Sequence, residues 1–185
     1  MHVGEYLLAL VGIVLGLALA DLGISTHRLI RRRADVKFDV MPILTAAIAA
    51  YLVFLNFWGD FARFRNLTEA SLWSTLPNLL VLFLSFLIAA AALPDEWEGK
   101  LDLWEFYLHT RVQFWLLVGA AGVAATLYEA AGHWPPRTDD YVSIGLTLPF
   151  AIIPCITKRH WIHVLVAVLF LIVIIAMTYD YVIRG

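Results

Sequence analysis

The feature that most constrains this chain is a series of long apolar runs separated by short polar connections. The hydrocarbon core of a bilayer is about 30 Å thick and takes about 20 helical residues to cross. Stretches 3–26, 42–61, 72–93, 112–131, 141–157 and 161–183 meet or approach that length. The fifth is short and holds Pro149 and Pro154, which makes it the one candidate for a broken helix. Only 15% of the 185 residues are charged, against about 25% in soluble domains. So few charges cannot coat a water-facing globule, whereas a lipid-facing surface needs none. The expected fold is all-α: one transmembrane domain over 1–185, built from about six membrane-spanning helices with short loops.

The apolar run at the N-terminus ends in small residues, as a signal peptide does, but a signal peptide carries its positive charge before the apolar segment. Here the first basic side chain is Arg28, after it, so the run is read as a first span. The net charge of −2 and the lack of a polybasic tail argue against a nucleic-acid partner. The lipid bilayer is the expected partner. A single cysteine, Cys155, excludes an intrachain disulfide and a CxxC site.

Basic residues set the expected orientation, because cytoplasmic loops are enriched in Lys and Arg. Arg28, Arg31, Arg32, Arg33, Lys37, Lys100, Lys158 and Arg159 share one side. Arg63, Arg65, Arg137 and Arg184 fall on the other. The first side is therefore expected to be cytoplasmic, with both termini outside if six spans cross. Trp58, Trp73, Trp97, Trp104, Trp134 and Trp161 lie near predicted span ends, where an aromatic belt belongs.

Ionisable residues inside a membrane are costly and mark candidate sites. Asp21 and Arg111 lie at similar depth near the cytoplasmic end, so an Asp21–Arg111 pair is expected there. Glu98, Asp102, Glu105, His109 and Gln113 fall within about 80° of one another on a helical projection. That predicts an interfacial amphipathic helix over 95–110, leading into span four, with an acidic stripe able to staple to the Arg28–Arg33 loop. Glu105 and His109 are four apart and could share a divalent metal, though zinc wants three or four ligands. His27, His160 and His163 lie on the same side and could complete the set. His27, His109 and His163 are also the candidates for axial haem ligation.

At the outer end, Glu5, Asp60, Glu129 and Asp180 could form an acidic vestibule that attracts cations. Asn56 and Asn78 lie somewhat deeper, where Asn side chains hydrogen-bond across helices. Asp21, Arg111, His109, Asn56 and Asn78 are the pore or gate candidates. No charge is predicted at the bilayer midplane, which argues against a charge-relay pump. Gly119, Ala120, Gly122 and Ala124 allow close helix approach in span four. Hydrolase, zincin, P-loop and CxxC motifs are absent, so no catalytic residue is assigned.

The run LGLALADLGISTHRLIRRR, Leu15 to Arg33, resembles the first helix and basic loop of a loose group of uncharacterised bacterial multi-span inner-membrane proteins. The run DLWEFYLHTRVQFW, Asp102 to Trp115, resembles their later acidic-aromatic helix start. The resemblance covers about a fifth of the chain. It implies a bacterial inner-membrane location and no activity. The leading functional expectation is a channel or transporter-like pore for ions or small solutes, acting as a homo-oligomer. The alternatives are a membrane anchor or sensor subunit that recruits a cytoplasmic protein partner through its loops, and a haem- or metal-binding redox protein.

Overall fold

The structure, a computed structural model, describes residues 3–65, 67–131 and 135–184, with the side chains of 72, 139 and 179–184 excepted. The chain is an all-α membrane bundle. Its helices are α1 (Val3–Arg31), α2 (Val40–Phe64), α3 (Leu72–Ala92), α4 (Leu103–Ala131), α5 (Thr138–Ile156) and α6 (His160–Arg184). Five of them are long and apolar enough to cross a bilayer. The apolar part of α5, Asp140–Ile156, is shorter. Trp134 and the side chain of Asp180 lie outside the described residues.

Contacts between connections show that the helices run alternately up and down. The α1–α2 connection contributes strand β1 (Val36–Lys37), which pairs in parallel with strand β2 (Leu101–Asp102) from the α3–α4 connection. The α5–α6 turn joins the same end, where His160 Nε2 lies 2.9 Å from Asp39 Oδ2. At the opposite end Gly4 N–H donates to the Leu67 carbonyl at 3.1 Å. There the Arg63 guanidinium also lies over the Tyr128 ring. α5 therefore traverses the bundle, antiparallel to α4 and unbroken at Pro149 and Pro154. Helix α3 sits centrally, packed on α1, α2 and α4; α4 also packs on α5, and α6 on α2 and α5. The interior between the two ends is filled by Leu15, Ala18, Ile48, Leu82, Ile88 and Trp115.

The expected interfacial helix over 95–110 is helical only from Leu103, as the first turns of α4, and 95–102 is not helix. Helix α3 stops before Pro94, because a residue preceding proline is driven out of the helical region, and Leu93 is extended at φ −133° and ψ 154°. Gly99 then adopts φ 68°, a left-handed turn that glycine takes without steric cost. Helix α4 begins only at Leu103, after Asp102 Oδ1 accepts from Trp104 N at 3.0 Å and Glu105 N at 3.3 Å. Glu98 and Asp102 therefore leave the helical stripe that their spacing suggested.

Asp95, Asp102 and the backbone carbonyls of 95 and 97 are turned onto the basic loop instead. Ser25 Oγ donates to Asp95 Oδ1 at 2.9 Å, and Arg28 Nη1 donates to the Asp95 carbonyl at 2.5 Å. Arg32 Nη1 donates to the Trp97 carbonyl at 3.0 Å, with its guanidinium over the Trp97 ring. Lys37 Nζ meets Asp102 Oδ2 at 2.7 Å. This pair makes a pH prediction. The Lys37 hydrogen bond holds the Asp102 carboxyl below its ordinary value, so that contribution fades as pH falls through the lowered value. The same bond holds the Lys37 ammonium above its ordinary value, so that contribution fades as pH rises through the raised value. The stability difference between wild type and Lys37→Met is expected to be widest between about pH 4 and pH 10 and to shrink outside that window. A pH series of detergent unfolding measures it, and a difference independent of pH would contradict it. Asp102→Ala should be the more damaging change at neutral pH, since it removes the α4 cap as well.

Candidate functional site

Three polar groupings organise the bundle: the staple at the basic end, a closed network beneath it, and a crevice at the opposite end. The crevice arises from a face of α2. Asn56 and Asp60 are four apart and Arg63 three further, so they lie along one side of that helix. On α3, Asn78 and Ser85 share a face seven residues apart. Where the two faces meet, Asn56 Nδ2 donates to Ser85 Oγ at 2.8 Å and to the Leu52 carbonyl at 2.9 Å. Ser85 Oγ in turn donates to the Val81 carbonyl at 2.8 Å. Asn56 thus ties α2 to α3, as its depth suggested.

One turn further out the arrangement is unfinished. Asp60 is 6% exposed and Asn78 is 4% exposed. The Asn78 amide lies close enough to interact with the Asp60 carboxylate, but the contact is not closed: neither Asp60 Oδ2 nor Asn78 Nδ2, both buried, makes a well-formed hydrogen bond. They face a cavity of about 1160 Å³ walled by α2, α3, α4 and α6. Its polar lining includes Glu129 and Arg63, and its apolar lining is led by Phe54, Phe57, Trp58 and Tyr128. Arg63 forms no ion pair with either acid; its guanidinium carbon sits 4.3 Å above the Tyr128 ring centre. Tyr51 and Thr178 share a short hydroxyl contact that closes the α2–α6 side.

The other sequence candidates are dispersed. Asp21 lies near Arg28 and Asp95, while Arg111 Nη1 donates to the Leu108 carbonyl at 2.6 Å. The expected Asp21–Arg111 pair is not made, because α3 stands between α1 and α4. Glu5 is exposed at the start of α1 and does not line the crevice. Glu105 and His109 do not converge on a common point: His109 is exposed and its Nδ1 lies 2.9 Å from the Glu105 carbonyl, to which it donates. His27 is exposed on α1. Among the described residues, no three His, Cys, Asp or Glu side chains are grouped to hold a metal.

His163, offered as a haem ligand, is fully buried with both ring nitrogens engaged. Its Nε2 lies 3.1 Å from the Thr157 carbonyl, which can only accept, so Nε2 carries the proton. Nδ1 is then the acceptor for the Tyr107 hydroxyl at 2.7 Å, and Tyr107 accepts from Trp115 Nε1 at 3.0 Å. This chain links α4, α6 and the end of α5. Its aromatic members, Tyr107 and Trp115, were not singled out by sequence, because an aromatic on an apolar helix face reads as packing.

No protein-family profile matches this chain, and neither a curated protein nor a solved structure matches it.

Proposed function

We propose that this polytopic membrane protein is a transporter-like protein for a small solute, and that the crevice around Asp60 is its binding site. The observation that carries the reading is the buried Asp60 carboxylate, held beside the Asn78 amide with its Oδ2 in no well-formed hydrogen bond. Leaving a buried polar group unsatisfied costs about 1–3 kcal/mol, and more for a charged one. The Asn78 amide can meet only part of a carboxylate's accepting capacity and none of its charge, so a ligand that donates to Asp60 would recover the remainder, and an ionisable residue within a span is a functional candidate. With the basic end in the cytoplasm, as the positive-inside rule has it, the crevice faces outward and both termini lie outside.

The filled interior supports a blind site, alternately exposed, over a permanently open channel. Passage then requires helices to shift, or a route between copies in a homo-oligomer. The partner-recruiting alternative loses support from the staple, because Arg28, Arg32 and Lys37 of the basic loop are engaged by the Asp95 and Trp97 carbonyls and the Asp102 carboxylate of the same chain.

In proteoliposomes, the wild-type protein is expected to carry solute across the membrane, and Asp60→Asn to slow that flux by about 10-fold or more. Vesicles as tight as empty ones across inorganic ions, amines and small neutral solutes would overturn the proposal.

A further inference from the structure

The geometry points to a specific class of ligand for the crevice: a monovalent organic cation with an apolar, preferably aromatic body, entering from the lipid side. The inference rests on reading the crevice as a ligand site, and it adds what that ligand is.

Charge comes first. Asp60 and Glu129 oppose one base, Arg63, so the crevice carries one formal negative charge in excess when all three are ionised. The buried member of the three is the acid: Asp60 is 6% exposed, whereas Arg63 and Glu129 are exposed at the rim. An anion would have to settle against a desolvated carboxylate, and a cation would neutralise it.

The walls then select among cations. An inorganic ion needs several oxygen ligands in place of its water, and among the described residues the only carboxylates in the lining are Asp60 and Glu129, with no group of three His, Cys, Asp or Glu side chains. The crevice instead presents Phe54, Phe57 and Trp58, which are 59%, 41% and 55% exposed. The negative faces of aromatic rings attract weakly hydrated organic cations, with Trp the most effective. Arg63 shows that these walls accept such a group, since its planar, delocalised cation lies on Tyr128 in preference to an ion pair with Asp60 or Glu129. A cavity of about 1160 Å³ is far larger than a bare ion requires and falls near the upper end of drug-sized pockets, about 300–1,000 Å³. The route of entry follows from the same exposure. Phe54, Phe57 and Trp58 open to the surroundings of the bundle, and an amphipathic cation already concentrates among lipids at that depth.

The test uses tetraphenylphosphonium as a permanent apolar cation and triphenylphosphine oxide as a neutral analogue. Equilibrium binding is measured on the full chain in a neutral maltoside detergent. Saturable binding of the cation is expected, with the neutral analogue binding weakly. Asp60→Asn should weaken cation binding by about 10- to 100-fold, the effect of losing one buried charged contact. Trp58→Ala, at an exposed position the fold does not need, should weaken it by about 3- to 30-fold. Glu5→Gln, outside the crevice, should leave it unchanged. If Asp60→Asn does not fold, Trp58→Ala and the neutral analogue decide. Cation binding that is unsaturable, matched by the neutral analogue, or indifferent to the crevice substitutions overturns the inference. Asp60-dependent flux of an inorganic ion without phosphonium binding would overturn it and leave the transporter reading standing. Phosphonium binding without any flux would do the reverse.

Discussion

Tyr107→Phe, the loss of a single oxygen atom, is expected to destabilise the bundle by about 2–5 kcal/mol, because it orphans two fully buried groups at once. Trp115 Nε1 loses its acceptor and His163 Nδ1 loses its donor. Trp115 and His163 are 0% exposed and Tyr107 is 1% exposed, so neither water nor a lipid headgroup can replace the lost partner. The order of protons along the chain leaves no alternative arrangement, since the Thr157 carbonyl fixes the His163 tautomer. A double-mutant cycle separates this account from a simple packing loss. Trp115→Phe alone removes a donor that has a partner. The same change made on top of Tyr107→Phe removes a donor that has none, and should cost less by about 1 kcal/mol or more. Unfolding free energies from denaturant titration in mixed micelles measure all four corners. Additive effects would mean that the three side chains do not act as one network.

Gly119→Leu is expected to push α5 away from α4 and to cost at least the 1–3 kcal/mol or so typical of overpacking. A Cβ at Gly119 would lie 2.8 Å from Ala151 Cβ, and one at Gly122 would lie 2.7 Å from Thr147 Cγ2. Neither neighbour can yield: Ala151 has no rotamer to change, and Thr147 is stiff at χ1 and donates to the Ser143 carbonyl at 2.8 Å. The comparison that isolates contact from propensity is Gly12→Ala or Gly16→Ala. A Cβ at either position meets nothing within 4 Å. Those two should be neutral or stabilising by up to about 1 kcal/mol, the helix preference of alanine over glycine. The same unfolding titrations apply, with cysteine cross-linking between α4 and α5 reporting their separation. Equal effects at Gly119 and Gly16 would show that the close approach carries no stability.

The unequal legibility of these features in the sequence has a physical basis. Position along the spans marks Asn56 and Asn78 as costly polar groups, because depth follows from place in a span. Their destinations differ: Asn56 bonds to Ser85 across α2 and α3, while Asn78 lies against the Asp60 carboxylate without a well-formed hydrogen bond. That difference depends on the rotation of α2 against α3, which no single helix encodes. The same limit explains the Asp21–Arg111 expectation. Position along the spans suggests equal depth, but two residues at one depth meet only if their helices are neighbours, and α3 intervenes. The expected helix over 95–110 is cut back to 103–110 for a local reason. Period alone favoured a helix, and the turn chemistry of Pro94, Gly99 and Asp102 prevailed.

What the sequence by itself determined is therefore the all-α membrane bundle, the apolar window within each helix and the basic end. Hydropathy acts additively over about 20 consecutive residues, so a span is a property of a local window. Only the tertiary structure decided that the acidic segment staples to the basic loop, that Tyr107, Trp115 and His163 form one closed chain, and that Asp60, Asn78 and Tyr128 surround a common crevice. Each of those facts joins residues from different helices. In a bilayer the apolar solvent exerts little hydrophobic force between helices, so their order and rotation are chosen by side-chain packing and hydrogen bonds between distant parts of the chain.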